Sequence, residues 1–176
     1  MKKHTILIVD DEEMILNSIC RVLRNENYRI LTANNGQKAL SLLKDYDVHL
    51  VVSDQRMPGM NGIDFLKHIK KDYPQILTIM LTGNAEIEIA MNAINEAGVY
   101  KFILKPWDDY NLKVTIRRAL ETLELIQQRD SLLEEVKTRD AILQSLEKQH
   151  PGISKVERDE NGYIILDPDS PEFDSL

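Results

Sequence analysis

The stretch TILIVDD, from Thr5 to Asp11, places a short run of mostly apolar, β-branched residues directly before two aspartates. A run this short and this apolar is typical of a strand that is covered on both faces, as strands of parallel sheets are. Comparable runs recur along the chain at Tyr28–Ala33, Val48–Ser53, Ile76–Leu81 and Val99–Leu104. The sequence therefore predicts five buried strands.

Between these runs lie segments whose apolar residues recur at helical spacing. They cover Glu12–Arg24, Gln37–Lys44, Gly62–Lys71 and Ala85–Ala97. Strands that alternate with helices imply right-handed crossovers and a parallel sheet. We therefore expect an α/β domain of five strand–helix units that is complete by about Leu120.

The composition restricts the class of protein. The 176 residues are 43% hydrophobic, with a net charge of −7 and a sequence pI near 5.1, which argues against a broad nucleic-acid-binding surface. No apolar run approaches membrane-spanning length, and the acidic start does not resemble a signal peptide, so a cytoplasmic protein is expected. The single cysteine, Cys20, lies among apolar residues and is interpreted as a core thiol.

The last predicted helix is unusually long, because no proline or glycine interrupts the chain from Asp108 to about Lys148. Its apolar residues follow two phases: Leu112 to Ile126 favours packing on the sheet, and Leu125 to Leu146 follows a seven-residue repeat. We expect the second phase to form a coiled-coil homodimer, although Arg129 and Arg139 occupy two positions of the repeat. The alternative is a single helix that folds back on its own domain.

Three regions follow from this pattern: a domain over residues 1–120, an extended helix or coiled-coil segment over 121–149, and an acidic tail over 150–176. Pro151 and Gly152 end the helix. Within the tail, Ile153–Glu157 and Tyr163–Leu166 flank Asn161-Gly162, which predicts a possible β-hairpin. The final residues are expected to be disordered.

Residues with chemical function cluster at the predicted strand ends. Asp10 and Asp11 follow the first strand and Asp54 follows the third, so three carboxylates should meet where ligands bind in open parallel sheets. Adjacent anions repel unless a cation compensates, and an all-oxygen set favours Mg²⁺ (or Mn²⁺). The alternative is that these acids only cap the helices that follow.

Two further strand ends suggest a reaction. Lys105 supplies a positive charge, and Thr82 supplies a hydroxyl that could instead cap the next helix. Phosphoryl transfer needs a nucleophile and neutralisation of the moving group, and an aspartate can accept the phosphoryl group as an acyl phosphate. Asp54 is the better candidate for the nucleophile if Asp10 and Asp11 hold the metal.

The motifs IVDDEE, VVSDQRMPGMNG, LTG and FILKPWDD, in this order and at these distances, resemble the receiver domain of bacterial two-component response regulators. The resemblance covers Met1 to about Leu120. It implies a flavodoxin-like, doubly wound fold with the strand order 2-1-3-4-5. It also implies signalling without enzymatic activity other than self-phosphotransfer and autodephosphorylation.

The resemblance assigns roles to individual residues. It implies that Asp54 is the phosphoacceptor, that Asp11, Asp54 and the backbone carbonyl of Arg56 bind Mg²⁺ directly, and that Asp10 acts mostly through water. Thr82 and Lys105 would then bind the phosphoryl group, and Lys105-Pro106 would be a cis bond. The remaining assignments are Phe102 as a switch residue, unless it is an ordinary buried ring, and Arg56 and Asn84 as residues that tune the phosphate lifetime.

The expected partners are a sensor histidine kinase or phosphotransfer protein and a downstream protein. The residues after Pro151 are too few for a further effector domain, so the output is expected to be a protein contact. Phosphorylation would then change the dimer packing of the long helix or release the acidic tail. Two alternatives remain open. The chain could be the regulatory receiver fragment of a larger effector, such as a cyclic-dinucleotide phosphodiesterase or ATPase activator, or it could be a phosphate sink.

Overall fold

The computed structural model describes residues 4–83 and 98–150, which form five strands and four helices within those ranges. The strands are β1 (Thr5–Val9), β2 (Arg29–Ala33), β3 (Leu50–Asp54), β4 (Leu77–Gly83) and β5 (Lys101–Lys105). The helices are α1 (Glu13–Leu23), α2 (Gly36–Asp45), α3 (Gly62–Asp72) and α4 (Asp109–Gln149).

The strands form one parallel sheet in the order β2-β1-β3-β4-β5, which confirms the predicted topology. All residues of β1 and β3 are buried, as expected for central strands with both faces covered. The later strands begin one or two residues after their predicted starts, and β3, β4 and β5 extend to include Asp54, Thr82 and Lys105. Sheet hydrogen bonding therefore continues one residue or more beyond the apolar runs.

The core has two layers because successive side chains of a strand point to opposite faces of the sheet. On one face, Leu7 and Val9 of β1 pack with the apolar residues of α2 and α3. On the other face, Ile6 and Ile8 pack with α1 and the first part of α4. Residues of the helices buried in these layers include Ala39, Leu43, Phe65, Leu66, Ile69, Leu16, Ile19, Leu112 and Ile116.

Side chains fix the beginnings of two helices. Asn35 accepts a hydrogen bond from the backbone nitrogen of Lys38 at the start of α2. Asn61 accepts one from the backbone nitrogen of Asp64 at the start of α3. These caps satisfy donors that the helices themselves leave free, and they fix where α3 begins behind β3.

Helix α4 shows the predicted change along its length. Its buried residues end at Leu123, Ile126 is partly exposed, and the apolar residues after it are exposed. The chain divides into two units, and the boundary lies between Ile126 and Gln127. The coiled coil and the boundaries at 120 and 149 remain predictions. The large aliphatic residues of α4 that are exposed are Leu125, Leu132, Leu133, Val136, Ile142, Leu143 and Leu146.

Several expectations concern residues outside the described ranges. The predicted helix over 85–97, the possible hairpin of the tail and the position of Asn84 all belong to this group. Among the helices of residues 4–83 and 98–150, none is both long enough and apolar enough to cross a membrane. The Lys105-Pro106 bond is cis, as expected.

Candidate functional site

The candidate site lies at the carboxyl ends of the central strands. The strand order reverses beside β1, because the chain passes from β1 to β2 on one side and then crosses back from β2 to β3 on the other side. Ligands of open α/β sheets bind at such a switch point. Asp10 directly follows β1, and Asp54 is the last residue of β3. Lys105 is the last residue of β5, and Thr82 is next to last in β4.

Three carboxylates meet at this edge. Asp10, Asp11 and Asp54 each offer an oxygen, and these oxygens lie within 4.8 Å of one another. Asp10 is fully buried and Asp54 is 7% exposed, whereas Asp11 is exposed to solvent. Two of the three carboxylates are therefore buried, and the third is accessible to solvent. A hard divalent cation could reach this cluster from solution.

Lys105 provides the positive charge of the site. Its ammonium nitrogen lies 2.6 Å from Oδ1 of Asp54 and 2.9 Å from Oδ2 of Asp10. The side chain of Lys105 is only 23% exposed, so these contacts are partly protected from water and are stronger than surface ion pairs. One cation thus bridges two buried carboxylates that come from different strands.

The protonation of the site reflects burial and this bridge. Burial raises the pKa of Asp10 above its ordinary value, although the hydrogen bonds from Lys105 and from the backbone of Glu12 oppose the shift. For Lys105, burial acts to lower the pKa, but the hydrogen bonds and charges of Asp54 and Asp10 outweigh it and raise the pKa. Lys105 therefore remains charged beside the carboxylates.

One backbone group and one side chain hold the carboxylate of Asp54, and α3 packs closely against its backbone. The backbone nitrogen of Arg56 donates to Oδ2 of Asp54 at 2.9 Å, while Lys105 holds the other oxygen. Gly62, the first residue of α3, packs so closely against the backbone of Asp54 that a Cβ atom at this position would overlap its carbonyl oxygen. The glycine of the MNG sequence is therefore required by the close approach of α3 to the end of β3.

Neither Asp10 nor Asp11 is the N-cap residue of the helix that follows β1. The N-cap residue of α1 is Glu12, and its side chain makes no capping hydrogen bond. Oδ1 of Asp10 accepts from the backbone nitrogen of Glu12, but its other oxygen contacts Lys105. Asp10 thus joins the turn before α1 to the charged cluster.

Thr82 is buried, with 1% of its surface exposed, and its hydroxyl donates to Oε1 of Gln55 at 2.5 Å. Gln55 is itself buried and follows the candidate phosphoacceptor directly in the sequence. Gln55 was not among the predicted site residues, because a neutral amide has no characteristic chemistry. Its only signal was its position between Asp54 and Arg56.

The remaining predicted residues lie around this cluster. Phe102 is partly buried and packs against the core layer that contains α2 and α3. Arg56 is exposed beside Asp54. The switch role of Phe102 and the tuning role of Arg56 remain predictions.

Comparisons with known proteins agree with the fold. A family model described as the response regulator receiver domain matches residues 6–117. The hydrogenase transcriptional regulatory protein HoxA of Cupriavidus necator is 39% identical over 120 residues, which are 68% of this chain and 25% of HoxA. The nitrogen assimilation regulatory protein NtrX of Azorhizobium caulinodans is 37% identical over 124 residues, 69% of this chain and 27% of that protein. The chain therefore spans about a quarter of the length of these relatives.

Solved structures give the same result. The signal receiver domain of an HD domain-containing protein from Pseudomonas fluorescens superposes with a TM-score of 0.70 at 35% identity, covering 73% of this chain and 95% of that one. NtrX from Brucella abortus in complex with ADP gives a TM-score of 0.70 at 34% identity, covering 74% of this chain and 30% of that one. Because the family model covers more than half of the chain and the sheet has the expected strand order, this chain belongs to the response regulator receiver domain family.

Proposed function

We propose that the chain is a two-component response regulator that a histidine kinase or phosphotransfer protein phosphorylates on Asp54 in a Mg²⁺-dependent reaction. The observation that carries this proposal is the junction of three carboxylates with the ammonium of Lys105 at the carboxyl edge of the sheet. These groups would supply the nucleophile, the metal ligands and the positive charge that phosphoryl transfer requires of the acceptor site.

The donor set fits a hard divalent cation. Asp11, Asp54 and the backbone carbonyl of Arg56 would hold Mg²⁺ (or Mn²⁺) directly, and Asp10 would act mostly through water. When bound, the ion would neutralise negative charge on the phosphoryl oxygens and on the carboxylates. The fit rests on three carboxylate oxygens within 4.8 Å of one another, one of them on an exposed residue.

The chain's own residues would perform the transfer as follows. A carboxylate oxygen of Asp54 attacks phosphorus, an O–P bond forms, and the N–P bond of the phosphohistidine breaks with its electron pair going to the imidazole nitrogen. Lys105 is already charged beside Asp54 and would move its contact to the phosphoryl oxygens. Apart from this self-phosphotransfer and autodephosphorylation, we propose no enzymatic activity.

The response would begin at Thr82. Its hydroxyl would move to a phosphoryl oxygen, and the ring of Phe102 would take up the space that this movement leaves. Phe102 lies opposite Met80 in the β4–β5 pair, two residues before Thr82 on the neighbouring strand. Arg56 and Asn84 would set how long the acyl phosphate survives, by shielding it or by orienting water.

The experiment is phosphotransfer from the host's histidine kinases to the full chain with labelled phosphate and Mg²⁺. The wild type should take up label in a form that hydroxylamine releases, as an acyl phosphate does, while Asp54→Asn takes up none. Asp72→Asn is the matched control, because this exposed aspartate ends α3 and has no place in the site. Label that persists in Asp54→Asn would refute the assignment of the acceptor.

For the output, we propose a homodimer formed through the exposed apolar residues of α4. Leu132 and Leu143 are 62% and 52% exposed and belong to a series of exposed apolar residues along α4, and such a surface is typical of a protein interaction site. Light scattering should show a dimer that Leu143→Glu dissociates and Gln144→Glu does not, with a change in dimerisation on adding beryllofluoride. A monomer at all concentrations would refute the dimer.

A second candidate is that the chain is the regulatory receiver part of a larger effector. The share of HoxA and NtrX that it matches, about a quarter, favours this reading, as does the similarity to a receiver domain from an HD domain-containing protein. Sequencing the reading frame downstream and assaying the intact gene product for phosphodiesterase or ATPase activity would distinguish the two candidates. A complete product without either activity would favour output through protein contacts.

A further inference from the structure

Gln55 occupies an unusual place, because its side chain holds the residue that is proposed to sense phosphorylation. The hydroxyl of Thr82 donates to Oε1 of Gln55, and the two residues are only 1% and 6% exposed. Water is therefore a poor competitor for this bond. The hydroxyl has a second, longer contact of 3.3 Å with the backbone carbonyl of Gly83, so the amide is its main partner.

The backbone of Gln55 is itself anchored on both sides. Its nitrogen donates to the carbonyl of Leu81 at 3.0 Å, and its carbonyl accepts from the nitrogen of Gly62 at 2.8 Å. The residue thus links the end of β4 to the beginning of α3. Because both backbone groups of Gln55 are hydrogen-bonded, its backbone has a fixed position from which the side-chain amide reaches Thr82.

A hydroxyl has a single proton to donate. Phosphoryl oxygens are acceptors, so a bond from Thr82 to a phosphoryl group needs the proton that Gln55 now accepts. The two bonds exclude each other. We propose that Gln55 is a positioning residue, a latch that holds Thr82 in the unphosphorylated state and sets how readily the switch responds to phosphorylation.

The latch rests on the proposed function, and its direction follows from the chemistry. A bond to a charged phosphoryl oxygen is stronger than one to a neutral amide, so phosphorylation can release Thr82 while Gln55 opposes the release. Removing the amide should therefore favour the phosphorylated form. From the net strength of a neutral hydrogen bond, we expect an effect of about two- to tenfold on the affinity for a phosphoryl mimic.

The test uses Gln55→Met, which keeps the length of the side chain and removes the acceptor. Beryllofluoride is titrated into the full chain with Mg²⁺, and the fluorescence of Trp107, the only tryptophan, reports uptake two residues from Lys105. Gln55→Met should bind about two- to tenfold more tightly than the wild type. In a Thr82→Ala background, which binds more weakly itself, the same substitution should change nothing, because the latch acts only through the hydroxyl.

A second measurement does not depend on how the variants fold. In the wild-type chain, the side-chain carbonyl carbon of Gln55 should shift its NMR resonance on beryllofluoride saturation, since its oxygen loses the donor. An unchanged resonance at full occupancy would overturn the latch, as would equal or weaker binding by Gln55→Met or an equal effect in the Thr82→Ala background. Failure of the wild type to take up beryllofluoride would instead refute the proposed function, and the latch with it.

Discussion

The close approach of α3 to the end of β3 makes Gly62→Ala a sharp test of how the site is built. The added methyl group would overlap the carbonyl oxygen of Asp54 and lie 2.9 Å from both the carbonyl carbon of Asp54 and Cα of Gln55. All three atoms belong to the backbone, so no side chain can move aside. Carbon atoms prefer a separation of about 3.5–4.0 Å, and α3 would have to retreat by roughly 1 Å.

The magnitude follows from three contributions. Overpacking of this kind destabilises by about 1–3 kcal/mol. The retreat of α3 also stretches the 2.8 Å hydrogen bond from Gly62 to the carbonyl of Gln55, a net loss of about 1 kcal/mol. Alanine is the better helix former and returns up to about 1 kcal/mol. We therefore expect Gly62→Ala to lower the free energy of unfolding by about 2 kcal/mol.

The assay is urea unfolding of the full chain, followed by Trp107 fluorescence and circular dichroism. Gly83→Ala is the matched control, because no atom of residues 4–83 and 98–150 lies within 4 Å of a Cβ atom at that glycine. The control should stay within about 0.5 kcal/mol of the wild type. If Gly62→Ala were as stable as Gly83→Ala, the close approach of α3 to the end of β3 would not require glycine at position 62.

Three further predictions concern the core, the thiol and the charged cluster. Leu112→Ala, at a fully buried position of α4, should lower the free energy of unfolding by about 2–5 kcal/mol in urea titrations of the monomer. In the same assay Leu133→Ala, at a half-exposed position of the same helix, should change it by less than about 1 kcal/mol. Burial raises the pKa of the Cys20 thiol, so its thiolate fraction near pH 8 is reduced and iodoacetamide should modify it several-fold more slowly in the folded chain than in urea; equal rates would contradict this. Lys105→Met leaves the buried carboxylate of Asp10 without its cation and should destabilise the metal-free chain by about 2 kcal/mol. This loss is smaller than that expected for a fully buried ion pair, because the side chain of Lys105 is 23% exposed. Unchanged thermal unfolding in the presence of a chelator would show that the bridge contributes nothing to stability.

Much of the fold was predictable because its signals are local. Continuous apolar runs such as Leu50–Val52 can be buried only between two covered faces, and the helical spacing of Leu112, Ile116 and Ala119 leaves one face for the sheet. The strand ends were less predictable. Polar residues such as Asp54 and Thr82 belong to the strands, because ladder hydrogen bonding depends on the neighbouring strand and not on the apolar run.

The sequence by itself determined which groups are available: the apolar periods that form a parallel sheet, and the carboxylates, hydroxyl and amine at its carboxyl edge. Tertiary structure decided how these groups pair, since pairing depends on distances between strands that are far apart in sequence. Lys105 bridges Asp10 and Asp54 across 95 and 51 positions of the chain, and no local pattern specifies which oxygens it contacts. The bond between Thr82 and Gln55 has the same origin, because a neutral amide becomes a site residue only when folding buries it against a hydroxyl.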